Sequence, residues 1–101
     1  MLEQLTHAAF AEHLHSTFRI HFDPAGPAEV ELVEAVLLRI RTRGDEPPRR
    51  APFSLVFRGP REPWFPQRIY KVEHERMGSF GLFLVPIGPD ADGMRYEAIF
   101  N

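Results

Sequence analysis

The chain has 101 residues, enough for one domain with a single hydrophobic core. Hydrophobic residues make up 44% of it and nine residues are phenylalanine, a composition that is too apolar for a disordered chain. A formal net charge of −2 gives no general attraction to nucleic acid or to an anionic membrane. The lack of cysteine excludes disulfides, thiolate catalysis and cysteine-type zinc sites.

The first seventeen residues contain three histidines and no long apolar run. We therefore expect neither a signal peptide nor a transmembrane segment. The lack of cysteine is consistent with a reducing compartment, and a cytoplasmic location is the expectation.

The N-terminal segment predicts a short helix over about residues 2–14. Thr6 can cap this helix, and Leu5 and Phe10 have the spacing of a hydrophobic staple. Phe10 and Leu14 lie one helical turn apart. The helix is expected to cover one end of a sheet.

A half-buried strand is predicted over residues 17–23. Phe18, Ile20 and Phe22 alternate there with polar side chains, which is the period of a strand with one face in the core. The turn-rich run at residues 23–27, DPAGP, is expected to end the strand.

The segment over residues 28–41 is compatible with a helix or a strand. The proline before it, the early glutamates and the late arginines would suit a helix, because these charges complement the helix dipole. Alternating Val, Leu and Ile side chains favour a strand, and only Glu34 breaks the alternation. We predict a long strand with a β-bulge near Glu34.

Four further segments alternate in the same way and are separated by turn residues. Residues 42–50 form a polar, proline-containing loop, and the prolines of residues 61–66, REPWFP, keep that segment out of a sheet. The fold class is predicted to be all-β, a small, mainly antiparallel barrel or sandwich of about six strands with one short N-terminal α-helix, in a single domain over residues 1–101. The four strands are predicted at about residues 52–58, 67–74, 79–86 and 94–100.

The histidines invite a metal hypothesis, because His13 and His15 are two residues apart and His21 follows on a polar strand face. None of the recognised zinc-ligand spacings occurs, however, and histidines exposed on the surface are expected. We predict no metal site and no cofactor.

Acid–base chemistry has weak support in the sequence. Glu73 and Glu75 flank His74, and Asp90 and Asp92 lie two apart in a predicted turn, where turn chemistry explains them. The serines lack the context of a nucleophile elbow. We therefore predict no catalytic residue and no enzyme.

Arginines and aromatic residues occur together in the middle of the chain, the combination with which a single-strand nucleic-acid binder holds phosphates and stacks bases. Phe53 and Phe57, however, share a strand face with Leu55, which is typical of a core. Acidic Asp45 and Glu46 also dilute the basic charge. A solvated loop without nucleic-acid binding is the prediction. The group comprises Arg39, Arg41, Arg43, Arg49, Arg50, Phe53, Phe57, Trp64 and Phe65.

The REPWFP segment is the preferred candidate for a protein-binding surface. Its aromatic pair, Trp64 and Phe65, either folds down as a lid on the core or stays exposed as an anchor, and exposed Trp beside Arg is typical of interface hot spots. The candidate surface consists of Arg61, Trp64, Phe65, Arg49 and Arg50.

Several motifs together resemble a bacterial family of domains of unknown function. They are residues 51–60, APFSLVFRGP, the ending over residues 82–101, and the opening with Leu2, Leu5, Thr6 and Phe10; Pro66, Gln67, Tyr70, Glu73 and His74 also match. Members accompany phage-tail-collar or tail-fibre-like proteins, so the resemblance implies an accessory, chaperone or assembly role and no catalytic residue. Arg68 departs from the glycine that members often carry.

The leading hypothesis is a non-catalytic protein-interaction or accessory domain in a phage-tail-like assembly. Its expected partner is another protein, of the tail-collar or tail-fibre type, with no nucleic acid and no membrane, and a homo-oligomer is a further option. The alternative is a β-barrel module that binds a small ligand, and a hydrolase is a distant third. An exposed Trp64 would favour protein binding, whereas an apolar cavity lined by phenylalanines would favour a ligand.

Overall fold

The structure is a computed structural model that describes residues 5–38 and 52–100. Within these ranges the chain forms one helix and six strands, and every neighbouring pair of strands is antiparallel. The elements are α1 (His7–Ala11), β1 (Thr17–His21), β2 (Pro27–Leu37), β3 (Phe53–Gly59), β4 (Arg68–His74), β5 (Gly78–Asp90) and β6 (Gly93–Phe100).

The six strands close into a barrel in the order β1-β2-β3-β6-β5-β4. The closing pair joins the first strand to the fourth, with Ile20 of β1 opposite Val72 of β4. The predicted fold class, an antiparallel all-β domain with one short N-terminal helix, is confirmed in its barrel form.

Alternation along β1 and β3 sends the phenylalanines of these two strands into the barrel. Phe53, Leu55 and Phe57 of β3 have no exposed surface, as their shared face predicts. Phe57 packs edge-on against Phe18 of β1, with the ring centroids 5.2 Å apart. Such rings bury a large apolar area each, so they dominate the stability of this small core.

Helix α1 closes one end of the barrel, which we call the helix end. Thr6 caps it as predicted, because its Oγ1 accepts the N–H of Ala9 at 3.1 Å. Phe10 is fully buried, and four rings surround it with centroids 5.7–6.3 Å away, namely Phe18, Phe53, Phe80 and Phe100.

The helix is shorter than the predicted residues 2–14, of which residues 1–4 lie outside the described part of the chain. It ends at Ala11 because the chain then turns to join the sheet. His15 adopts a positive φ of 69°, and its N–H donates to the carbonyl of Leu32 in β2 at 2.7 Å. Leu14, predicted to lie one helical turn from Phe10, is consequently exposed.

The ambiguous segment is a strand, β2, and it carries the predicted bulge. The register against β3 shifts between Leu32 and Glu34. The bulge also moves the later residues to the opposite face, so that Ala35 packs on the core and Val36, predicted to face inward, is exposed. Residues 39–41 of the predicted strand lie outside the described residues.

Strand β5 runs to Asp90, four residues beyond its predicted end. We expected a turn over residues 88–93, which begins with Gly88 and Pro89, to follow the strand. Strand β4 begins at Arg68, opposite Leu84, so the later part of β5 pairs only with β6 among the described strands. Prolines are tolerated on such an edge, and a bulge between Pro86 and Gly88 absorbs the irregularity.

Candidate interaction surface

The connection from β3 to β4 crosses the barrel end opposite α1, which we call the Trp64 end. Within this connection Phe65 folds back onto the core. Its ring stacks on the buried ring of Phe22, with the centroids 4.1 Å apart and the planes 10° from parallel. Phe65 is therefore the lid of the barrel at this end, the role that the sequence left open.

Two tyrosines hold the backbone on either side of this lid. The hydroxyl of Tyr96 accepts the N–H of Phe65 at 3.1 Å, and the hydroxyl of Tyr70 donates to the carbonyl of Pro66 at 2.5 Å. Burial raises the pKa of both tyrosines, so both hydroxyls keep their protons at neutral pH. The backbone under the aromatic pair is consequently fixed at two neighbouring positions.

Trp64 points away from this support and is 56% exposed. Together with Glu62 and Pro63 it lines a shallow depression of about 530 Å3. Arg61 is exposed beside it, and its Nη1 lies 3.4 Å from the carbonyl oxygen of Asp90. The arrangement presents a large aromatic ring with charged neighbours on a fixed backbone.

The predicted interaction residues thus fall into three groups by their position in the structure. Arg61 and Trp64 lie together on the surface, whereas Phe65 stacks against the core and serves as the lid. Arg49 and Arg50 lie outside the described residues. Of the aromatic pair, Phe65 is thus the lid and Trp64 is the exposed member.

An ion pair joins β3 to the β5–β6 turn near this surface. Arg58 donates from Nε to both carboxylate oxygens of Asp90, at 3.1 and 3.0 Å, and from Nη2 at 2.5 Å. Asp90 Oδ1 also accepts the backbone N–H groups of Asp92 and Gly93. These hydrogen bonds, that of Arg58 first, lower the pKa of Asp90. Asp90 therefore stabilises the turn as an ionised acceptor, which makes it a poor proton carrier near neutral pH.

The structure brings one serine within hydrogen-bonding distance of a histidine. Ser16 Oγ lies 3.0 Å from Nε2 of His74, at the helix end of the barrel. His74 Nδ1, however, accepts the backbone N–H groups of Arg76 and Met77, so the proton of the neutral ring must sit on Nε2. A general base would need Nε2 free to take the serine proton, and this tautomer does not offer it.

His74 is instead a buried structural residue, contrary to our expectation of surface histidines. The pKa of His74 is lowered, chiefly by burial. The nearby His13 and Arg76 lower it further, whereas Glu75 raises it. The neutral ring organises the β4–β5 turn through its two backbone hydrogen bonds.

The free energy of unfolding should therefore decrease as the pH falls below about 6.5, the ordinary histidine pKa. The lowered native pKa means that the unfolded state takes up a proton before the folded state does. This contribution is complete above the unfolded pKa and is lost as the pH falls through the folded one. In His74→Asn, whose amide oxygen still accepts the turn N–H groups, urea unfolding between pH 7.5 and 5.5 should depend less on pH.

The other four histidines remain in the His74→Asn variant. An unchanged pH dependence would therefore assign the effect to them and contradict the role of His74.

The three histidines that suggested a metal site each have a different neighbour. His15 Nδ1 bonds to Glu31 at 2.8 Å, His21 bonds to Glu73, and the ring of His13 packs against that of His74. The bond from His21 is the largest cause that lowers the pKa of Glu73. Over residues 5–38 and 52–100, no group of three or more histidine or acidic side chains could hold a metal ion.

A second exposed feature, which our reading of the sequence missed, lies on the outside of the barrel. Ile69 of β4, Phe83 of β5 and Ile99 of β6 are exposed by 73%, 52% and 56%. We call these three residues the outer apolar row. The sequence did carry a signal for this row. These strands have apolar residues at the positions predicted to face outward, where a solvated face should be polar.

The interior of the barrel offers little support for the alternative of a small-ligand module. Stacked and edge-on rings occupy both ends and the middle of the core. Surface depressions at β1 are lined chiefly by polar and charged side chains, among them Arg19, Glu29, Glu31 and Glu73. In the part of the chain that is described, no helix has the length and apolar character needed to cross a membrane.

Comparison with known proteins identifies a family. No curated protein and no solved structure matches the chain. One family, described as "Domain of unknown function (DUF6916)", matches over residues 5–100. This match spans both the Trp64 end and the outer apolar row. The chain therefore belongs to the DUF6916 family of domains.

Proposed function

We propose that this domain is a non-catalytic protein-interaction domain that inserts Trp64 into a partner protein. The observation that carries the proposal is that the two neighbouring aromatic side chains, Trp64 and Phe65, point in different directions. Phe65 is held under the surface by Phe22 and Tyr96, and this fixes the neighbouring residue, Trp64, in an exposed position.

A fixed backbone favours binding because less conformational freedom is lost when the partner docks. A tryptophan that enters a desolvated pocket contributes more than most interface residues, and arginine is also enriched among such hot spots. Arg61 and Glu62 stand beside the ring and would form the polar rim of the contact. The expected partner surface is an apolar pocket with polar groups around its opening.

For the partner we propose a structural protein of the phage-tail-collar or tail-fibre type, with this domain as an accessory of its assembly in the bacterial cytoplasm. The resemblance of the sequence motifs to tail-associated domains supports this choice.

Replacement of Trp64 by alanine should weaken binding to such a partner at least about tenfold, which corresponds to about 1.4 kcal/mol. The measurement is biolayer interferometry with immobilised domain and purified tail-collar and tail-fibre-like proteins. Trp64 is the single tryptophan, so its emission should also shift to the blue when a partner without tryptophan binds the wild-type domain.

The matched control is Leu14→Ala, which removes another exposed apolar side chain, near the helix end. This variant should bind like the wild type. Equal binding by the Trp64→Ala variant would contradict the anchor role, and failure of the wild type to bind any of the tail proteins would contradict the proposed partner class.

A further inference from the structure

The outer apolar row forms the middle of a small patch on the sheet β4-β5-β6. Ile69 pairs directly with Phe83, and Val85 pairs with Glu97. When the pairing of β5 with β6 is continued by two residues beyond Val85 and Glu97, Ile99 lies beside Phe83, on the side opposite Ile69. Phe83 is therefore the centre of a row of three exposed apolar side chains across three strands.

The charges around this row lie on opposite corners. Lys71 follows Ile69 by two residues on the same face of β4, and it pairs with Gly81 of β5. Glu97 precedes Ile99 by two residues on the same face of β6, beside Val85. The patch thus has a positive charge at one corner, a negative charge at the diagonally opposite corner, and Phe83 between them.

Neither Lys71 nor Glu97 forms a salt bridge within the described part of the molecule, although the charge of Lys71 helps to lower the pKa of Glu73 on the same strand. The ion pairs seen there join His15 to Glu31, His21 to Glu73 and Arg58 to Asp90. Lys71 is exposed, and Glu97 is partly exposed. Both side chains are therefore available to an external charge of opposite sign.

We propose that this patch binds a second copy of the same chain. In a two-fold dimer each residue of the contact surface meets its counterpart across the axis, so the surface must complement itself. Consider a two-fold axis that lies in the contact plane, passes through Phe83 and runs along the diagonal that carries no charge. Rotation about this axis exchanges the two charged corners. Lys71 of each copy then faces Glu97 of the other, and the two phenylalanines meet at the centre.

The same operation matches the remaining positions of the patch. Ile69 of one copy faces Val85 of the other, and Ile99 faces Gly81, where the absence of a side chain leaves room. The strands of the two sheets cross at nearly a right angle, which is a common mode of sheet packing. Because the strands cross, the spacing between neighbouring strands in one copy, about 4.8 Å, must match the spacing between alternate residues of a strand in the other, about 6.8 Å. The two spacings differ by only about 2 Å, which long side chains accommodate.

A second copy fits better than an unrelated partner because the charges are complementary under one symmetry operation. A hydrophobic patch for any other protein would not need its two charges on opposite corners of the row. The interface shares no residue with the proposed Trp64 contact, so the two proposals stand independently. A two-fold axis along the other diagonal would place Lys71 opposite Lys71 and Glu97 opposite Glu97, so like-charge repulsion opposes that dimer.

The test is the dimer dissociation constant, measured by sedimentation equilibrium at low ionic strength. The wild type should form a dimer in the micromolar range, and Phe83→Ser should be monomeric at the same concentrations. Each single charge reversal, Lys71→Glu or Glu97→Lys, should raise the dissociation constant about tenfold or more. The double reversal should restore it, because the swapped charges again face each other.

Near-ultraviolet circular dichroism of each variant checks that the core is intact, and Trp64→Ala is the control that should leave the dimer unchanged. A monomeric wild type at the highest concentration would overturn the proposal. So would a dimer that survives Phe83→Ser, one that the double reversal does not restore, or one that Trp64→Ala abolishes.

Discussion

Replacement of Phe57 by alanine is expected to lower the free energy of unfolding by about 3–5 kcal/mol. The ring lies in the middle of the barrel with no exposed surface, between Leu32 of β2 and Tyr96 of β6 in the sheet. Its truncation leaves a cavity against Phe18, whose ring packs edge-on against it. Urea unfolding of both proteins measures the difference.

The matched control is Trp64→Ala, which truncates an aromatic ring that is 56% exposed. This change should alter the free energy of unfolding by less than about 1 kcal/mol, because more than half of the Trp64 surface stays in water in the folded domain. A loss below about 1 kcal/mol for Phe57→Ala would show that the faces of β3 are assigned the wrong way round.

The second large effect is expected at Gly93, where β6 leaves the turn and approaches β3 closely. A Cβ atom at this position would lie 2.1 Å from the carbonyl oxygen of Gly59 and 3.3 Å from Cγ of Arg58. The first neighbour is backbone and cannot move without shifting a strand. Gly93→Ala should therefore lower the free energy of unfolding by about 3 kcal/mol or more, and the melting temperature by more than about 10 °C.

Gly81→Ala, measured at concentrations at which the domain is monomeric, is the matched control for this prediction. The atom nearest to its new Cβ is Cγ2 of Ile69, at the ordinary contact distance of 3.5 Å. Alanine in a strand also restricts the unfolded chain more than glycine does, so a change within about 1 kcal/mol is expected. Equal losses at the two glycines would mean that the close approach at Gly93 is absent in solution.

Much of the fold could be predicted because bulky apolar residues recur at every second position in several of its strands. Phe18 and Ile20 on β1 and Phe53, Leu55 and Phe57 on β3 leave one face for the core, and a one-residue shift would expose all of them. The bulge near Glu34 could also be predicted, because strict alternation would point this charged side chain into the core. An extra residue in the strand shifts the register and avoids this. These inferences needed only local information.

The features that escaped prediction depend on contacts distant in sequence. His74 is buried because its ring packs against those of His13 and Phe18, which lie far away in the chain and which alternation does not encode. The helix stops early because His15 bonds to Leu32. Closure into a barrel, as opposed to a sandwich, required the pairing of β1 with β4, for which no local signal exists.

The candidate site shows the same limit. The sequence selected REPWFP for its composition, but only Tyr96, from a strand distant in the chain, decides that Phe65 is held down while Trp64 stays out. Proline and aromatic content predicts an irregular, apolar segment; the direction of each side chain follows from packing against Phe22. The segment could be found from sequence, whereas the member of its aromatic pair that stays exposed could not.

The central claim is that the barrel is filled by its own aromatic rings and holds Trp64 outside, available to a partner. Acrylamide quenching of the single tryptophan in the native domain tests it most directly, with the urea-unfolded chain as the reference for full access. We predict red-shifted native emission and quenching that approaches that of the unfolded chain, while near-ultraviolet circular dichroism reports an intact core. Blue-shifted native emission with weak quenching would place Trp64 inside the molecule and contradict the account.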